Sequence, residues 1–238
     1  MIDDHERAAD DERQTGDRTD TSESVAAGEK KKRSFLRELP VLVAIAVVVA
    51  LVLRTFVLQS FWIPSGSMEN TLQLDDYVVA NKVVYEMREP QRGEIVVFHA
   101  PPSWRHNVNE QDYIKRVIAV GGDTVAYDAE TQHLSVNGHA LDESSYLYTD
   151  PQTGKQDSPS LDNQEFEVTV PDNRLWVMGD HRWASGDSRE HYMRTDDPVA
   201  STIPLDQVVG EAFVRVWPIN RIGTLGKPDI FDEVPAPA

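Results

Sequence analysis

The chain has 238 residues, a formal net charge of -17 and no cysteine. That length suits one soluble domain plus extra segments, and the acidity argues against a nucleic-acid partner, which would need a basic face. Without cysteine there are no disulfides, thiolate metal sites or cysteine nucleophiles.

Met1 to Glu29 is rich in Asp, Glu, Arg, Thr and Ser and has no aromatic residue. Such a segment buries too little surface to offset its ordering entropy, so residues 1–34 read as a disordered acidic cytoplasmic tail ending in the basic cluster Lys30-Lys31-Lys32-Arg33. From Leu39 to Leu58 the chain is almost continuously apolar. A spanning helix needs about 20 such residues, so 35–59 is predicted as a transmembrane helix, with Arg54 snorkelling near one end. The basic cluster precedes it, which puts the amino end in the cytoplasm and the remainder outside. The expected localisation is the cell membrane, single-pass, beside a lipid bilayer. Trp62 suits the outer interface, and Trp104 is a second candidate for dipping into the leaflet.

Residues 60–225 carry β-rich runs: Tyr77 to Val84, Glu94 to Phe98, Tyr113 to Val120, Thr124 to Tyr127, Phe166 to Val170, Leu175 to Met178 and Val208 to Trp217. Leu134 to Leu141 reads as a hairpin turning at Asn137-Gly138. Residues 142–164 are polar and turn-rich and read as a surface insertion; 226–238 read as a loose tail. No strong amphipathic helix is evident after the anchor. The fold class expected is mainly β, an antiparallel sheet or barrel-like domain behind one helix.

Three stretches carry candidate chemistry. In Ile63-Pro64-Ser65-Gly66-Ser67-Met68, Pro64 fixes its own φ and Gly66 permits a sharp bend with Ser67 exposed at it. On its own this is an ordinary Ser/Gly turn. A serine needs a base, and the scattered histidines, His99, His106, His133, His139, His181 and His191 among them, lack the spacing of a known triad. Lys115 is the other choice. It lies in an apolar strand, where it is either solvated or buried and neutral; burial lowers a lysine pKa from about 10.4 by up to roughly 3–5 units. The third stretch, Met178 to Arg189, reads either as a polar loop with surface ion pairs or as a scaffold for the base strand.

Together, behind an apolar anchor, these stretches resemble the type I signal peptidases of bacteria. Ser65 to Met68 with Thr71-Leu72 is similar to that family's Ser-Gly-Ser-Met box. Lys115-Arg116 through Gly122-Asp123 resembles its Lys-Arg box, and Gly179 to Arg189 its Gly-Asp-Asn-Arg-x-Asn-Ser-x-Asp-Ser-Arg box. The resemblance implies a serine endopeptidase that removes signal peptides from secretory preproteins after small residues of the Ala-x-Ala type. Ser67 would be the nucleophile and Lys115 the general base. Ser65 and the Ser67 N–H would form the oxyanion hole, and Ser185 would orient the amine. Arg116, Asp180, Arg182, Asp187 and Arg189 would be structural supports, and Phe61, Ile63, Leu72 and Ile114 pocket walls. No metal or cofactor is implied. His181 and Ala184 stand where the family often has Asn, and Asp75 where it often has Gly. Weighed against this are a Ser67–His181 dyad, a Ser/Lys self-cleaving repressor-type protease, and an inactive membrane-anchored β module that binds exported peptides.

Overall fold

The computed structural model describes residues 38–51, 54, 57–105 and 111–237. Residues 1–37, which include the acidic tail and basic cluster, and His106 lie outside them. The chain divides into two units, Met1–Leu51 and Val52–Ala238. In the first, residues 38–51 form helix α1, whose leucine, isoleucine and valine side chains are exposed. Among the described residues no helix is long and apolar enough to cross a membrane.

The second unit is mainly β. Its strands are β1 (Leu58–Trp62), β2 (Tyr77–Asn81), β3 (Ile95–His99), β4 (Asp112–Val120), β5 (Thr124–Asp128), β6 (His133–Val136), β7 (His139–Ala140), β8 (Phe166–Thr169), β9 (Arg174–Met178), β10 (Ile203–Pro204), β11 (Val208–Trp217) and β12 (Gly223–Thr224). The larger sheet has the order β1-β2-β11-β3-β4-β9-β10, with β12 beside β11; the smaller has the order β7-β6-β5-β8. All pairings are antiparallel among the described residues. Register shifts in β11 after Ala212 and Arg215, and in β4 after Val117, bend the larger sheet into a half-barrel.

Alternation decides what each strand buries. In β2, Val78 and Ala80 point inward to a cluster with Ile63, Met68, Leu72, Ile95 and Val97. β5, β6 and β8 send Val125, Tyr127, Leu134, Val136 and Val168 against Ile118, Trp176 and Met178 of the larger sheet. β4 is buried from Lys115 to Ala119, so the charged Lys115 and Arg116 are buried with it.

The hairpin forms as expected, with Asn137 (φ 53) and Gly138 (φ 76) at the turn. Several sequence readings need correction. Strand pairing begins at Leu58, inside the segment assigned to the anchor (35–59), because Leu58 to Trp62 aligns against Tyr77–Asn81. The 142–164 segment is not only surface: Glu143, Tyr146 and Leu147 are buried. The 226–238 tail is tethered, with Phe231 and Val234 in the core and Asn137 Nδ2 donating to Pro235 O at 2.9 Å. Trp104 is buried, donates to Ala200 O at 3.0 Å and stacks on His191, so it is unavailable to a leaflet. A short helix, α2 (Ser188–Thr195), escaped the pattern because it buries Ser188, Arg189 and His191 rather than an apolar stripe.

Asp75 explains one departure from the family pattern. Its φ is +65°, a left-handed conformation, and its carboxylate accepts from Trp62 Nε1 at 3.0 Å. Gly adopts this φ freely and Asp tolerates it, whereas a β-branched residue does not. Asp75→Gly should leave thermal stability within about 0.5 kcal/mol, while Asp75→Val should lower it by about 1–3 kcal/mol; equal unfolding curves for the two variants would refute the strain argument.

Candidate active site

Beyond β1 the chain turns at Pro64 and enters a helix-like bend. Glu69 N–H donates to Gly66 O at 3.0 Å and Leu72 N–H to Met68 O at 2.7 Å. Met68 and Leu72 are fully buried and pin the bend to the core. Ser67 sits at its start, 5% exposed, with Ser65 exposed beside it and the two hydroxyl oxygens 3.5 Å apart. The Ser67 N–H has no acceptor among the described residues.

Lys115 is paired with Val96 across β3 and β4 and is 4% exposed. Its ammonium nitrogen lies 2.6 Å from Ser67 Oγ and 3.1 Å from Ile114 O. Burial pushes its pKa down to about 8; the nearby carboxylates of Asp187 and Asp180 oppose that shift. The neutral amine is therefore accessible at mildly alkaline pH, in hydrogen-bond reach of a hydroxyl. That is the arrangement general-base activation requires.

The third stretch joins the other two. Asp180 accepts a bidentate pair from Arg116, at 2.9 and 2.7 Å, and also a hydrogen bond from Thr71 Oγ1. Arg116 further donates to Gly93 O at 2.8 Å. His181 N–H donates to Ser67 O at 3.1 Å. Gly179 is needed for fit: a Cβ there would come within 2.4 Å of both Ser67 O and Ser185 Oγ.

The other candidates distribute differently from the expectation. Ser185 Oγ donates to Asp187 at 2.7 Å, while the amine's own hydrogen bonds go to Ser67 and Ile114. The hydroxyl is drawn to the stronger acceptor, a charged carboxylate. The ion pair of Arg182 is with Glu143, outside its own stretch, while within the stretch it donates to Gly179 O at 2.9 Å. Arg189 lies 3.6 Å from Asp187 and donates to Arg182 O at 2.6 Å. Asp187 also accepts from Gly179 N–H at 3.1 Å. The His181 ring meets Glu69 through Nδ1, has Asp157 4.0 Å from Nε2 and stacks on Tyr148, while the Ser67 hydroxyl is met by Lys115, which argues against a Ser67–His181 dyad.

A groove of about 670 Å³ runs past the pair, with Phe61, Ile63, Ser65, Ile114 and Ala184 among its lining. Leu72 is not part of that lining; it is fully buried in the same core cluster as Ile63. The sequence reading missed Glu143, Gly179 and Thr71 as parts of the assembly. Gly179 and Thr71 stood within recognised boxes, but Glu143 lies in a polar run that gave no sign of burial. Among the described residues no group of His, Asp or Glu side chains is placed to hold a metal ion.

The Ser67–Lys115 contact, in an antiparallel half-barrel and beside a groove, is an arrangement that can serve a serine peptidase. The family model for signal peptidase, peptidase S26, matches residues 36–217. A signal peptidase I of Mycobacterium tuberculosis is 42% identical over 229 residues, covering 82% of this chain and 76% of that one. A probable signal peptidase I of Mycobacterium leprae is 38% identical over 245 residues, covering 85% and 83%. A solved signal peptidase I of Enterococcus faecalis aligns over 52% of this chain and 97% of that one, with 25% identity and a TM-score of 0.36. The chain belongs to the signal peptidase family, peptidase S26.

The lowered lysine pKa carries a stability cost. The unfolded chain binds the Lys115 proton up to its ordinary pKa of 10.5 and the folded chain only up to about 8. The penalty is therefore complete below pH 8 and disappears as pH rises to 10.5. At neutral pH it amounts to about 3 kcal/mol. Lys115→Met should raise stability at pH 7 by up to this amount, and the advantage over the parent should shrink as pH rises. Denaturant unfolding at several pH values checks the prediction; a pH-independent difference contradicts it.

Proposed function

We propose that the chain is a membrane-anchored endopeptidase that removes N-terminal signal peptides from exported preproteins after small residues, through a Ser67–Lys115 dyad and an acyl-enzyme. The single observation behind this is the 2.6 Å contact between a buried lysine amine and the Ser67 hydroxyl. The neutral amine accepts the Ser67 proton as Oγ attacks the scissile carbonyl. The oxyanion is met by the Ser67 N–H and the Ser65 hydroxyl, a pair of donors beside the nucleophile. The resulting ammonium protonates the leaving amine as the peptide bond breaks. Water, deprotonated by the same amine, then releases the acyl group.

The substrate lies extended between the Ile63–Ser65 segment and the Tyr113–Lys115 segment. Phe61, Ile63 and Ile114 occupy the space beside it, which favours small side chains before the cleaved bond. Ser185 acts on the base indirectly, through Asp187. Arg116, Asp180, Arg182, Asp187 and Arg189 keep the turn and the base strand in register.

The membrane reading rests on the apolar run from Leu39 to Leu58, the exposed apolar side chains of α1 and the preceding basic cluster. A second support is an exposed aromatic row: Trp62, Tyr77 and Trp217 are register neighbours across β1, β2 and β11. Trp and Tyr of this kind favour the lipid–water boundary. The site then faces the exported side of the bilayer, where precursors held in the same membrane meet it at high effective concentration.

Purified protein in detergent should cleave a labelled preprotein after a small residue. Ser67→Ala and Lys115→Ala should each abolish cleavage in folded protein, and Ser65→Ala should reduce kcat by about 10²–10³. In the parent, kcat/KM should rise with pH through an apparent pKa near 8, as the free enzyme's Lys115 loses its proton. Cleavage that survives either dyad substitution excludes this mechanism. Peptide binding without cleavage by the parent would favour the inactive module.

A further inference from the structure

We propose that His181 is a positioning residue that, with Glu69, clamps the nucleophile turn. This rests on the Ser67–Lys115 reading above. His181 grips the turn at two points. Its backbone N–H donates to Ser67 O at 3.1 Å, and its ring Nδ1 lies 2.9 Å from Glu69 Oε2. Glu69 is two residues beyond the nucleophile, yet its carboxylate folds back over Gly66: a Cβ on Gly66 would stand 3.0 Å from it. The carboxylate therefore covers the residue before Ser67 and ties it to the ring. Main-chain and side-chain contacts from one residue thus enclose Gly66, Ser67 and Glu69.

The ring itself is held from behind. Tyr148 stacks on it with centroids 3.8 Å apart and planes 22° from parallel, and Asp157 Oδ2 lies 4.0 Å from Nε2. Both come from the 142–164 segment, and that segment is fixed in turn. Tyr148 N–H donates to Asp180 O and Asp157 N–H to Tyr148 O, each at 2.9 Å. The polar stretch read as an insertion thereby supplies the back wall of the clamp. The chemistry needs such a brace, because Ser67 Oγ must meet both the amine and the substrate carbonyl. A displacement of about 1 Å can cost roughly 10² in rate.

The test uses the full-length protein in detergent with a labelled preprotein, in steady-state and single-turnover experiments. His181→Ala should lower kcat about tenfold or more with KM within about twofold, because a displaced nucleophile slows acylation more than binding. The rise in kcat/KM with pH should keep its midpoint, since the base is untouched. His181→Asn, whose amide nitrogen lies near the position of Nδ1, should restore most of the rate. Glu69→Ala should lose as much as His181→Ala, and the double variant no more than either, as expected for one shared contact. An unchanged kcat in folded His181→Ala, or losses that multiply in the double variant, overturns the clamp. A drop in thermal stability with full kcat per active site does the same. If His181→Ala does not fold, Glu69→Ala and His181→Asn decide by the same criteria. Cleavage retained by Ser67→Ala or Lys115→Ala would instead remove the dyad itself, whatever His181 does.

Discussion

The geometry of the site depends on the Asp180 carboxylate. It receives Arg116 from the strand that carries Lys115 and Thr71 from the bend that carries Ser67, and it stands in the third stretch itself. A buried arginine–carboxylate pair adds little net stability, because desolvating both ions offsets most of their attraction. Its bidentate form, however, sets direction as well as distance. Arg116 immediately follows Lys115, so fixing the guanidinium fixes the adjacent backbone. The short Lys115–Ser67 contact follows from that larger constraint.

The same network bears on the electronic state of the amine. Asp180 and Asp187 would both favour a protonated lysine, and burial opposes them and prevails. The carboxylates are already engaged. Asp180 is matched by Arg116, while Asp187 is occupied by Ser185, the Gly179 N–H and the Arg189 side. Charges committed to other partners project a weaker field onto Lys115 than free ones would. The supporting arginines thus have an electrostatic effect on Lys115 without touching it.

Much of this was readable from residues alone, for reasons that differ by element. β11 was found with its observed ends because the run from Val208 to Trp217 is rich in β-branched and aromatic residues, and the Asn137-Gly138 turn because few other dipeptides accept two positive φ values. The nucleophile and base candidates came from short boxes whose residue types are constrained. What stayed hidden was long-range pairing of polar groups. Glu143 looks like any surface acid until Arg182, 39 positions later, is placed against it. Ser185 was assigned to the amine by the family resemblance, which says nothing of the carboxylate two residues on that its hydroxyl donates to. Leu72 carries the right chemistry for a pocket wall, but its place in the bend turns it to the core. Phe231 and Val234 were passed over because two apolar residues among prolines and acids form no period.

Those last two side chains set an order on biosynthesis. Phe231 stacks near Tyr146, and Val234 closes the same cluster beneath the smaller sheet. Both follow every strand of the two sheets in the chain. A nascent polypeptide therefore has its serine, its lysine and every long strand before the plug for that sheet has been made. Synthesis runs from the amino to the carboxyl side, so the interior beneath the smaller sheet finishes excluding water only once residues 231–234 have joined it.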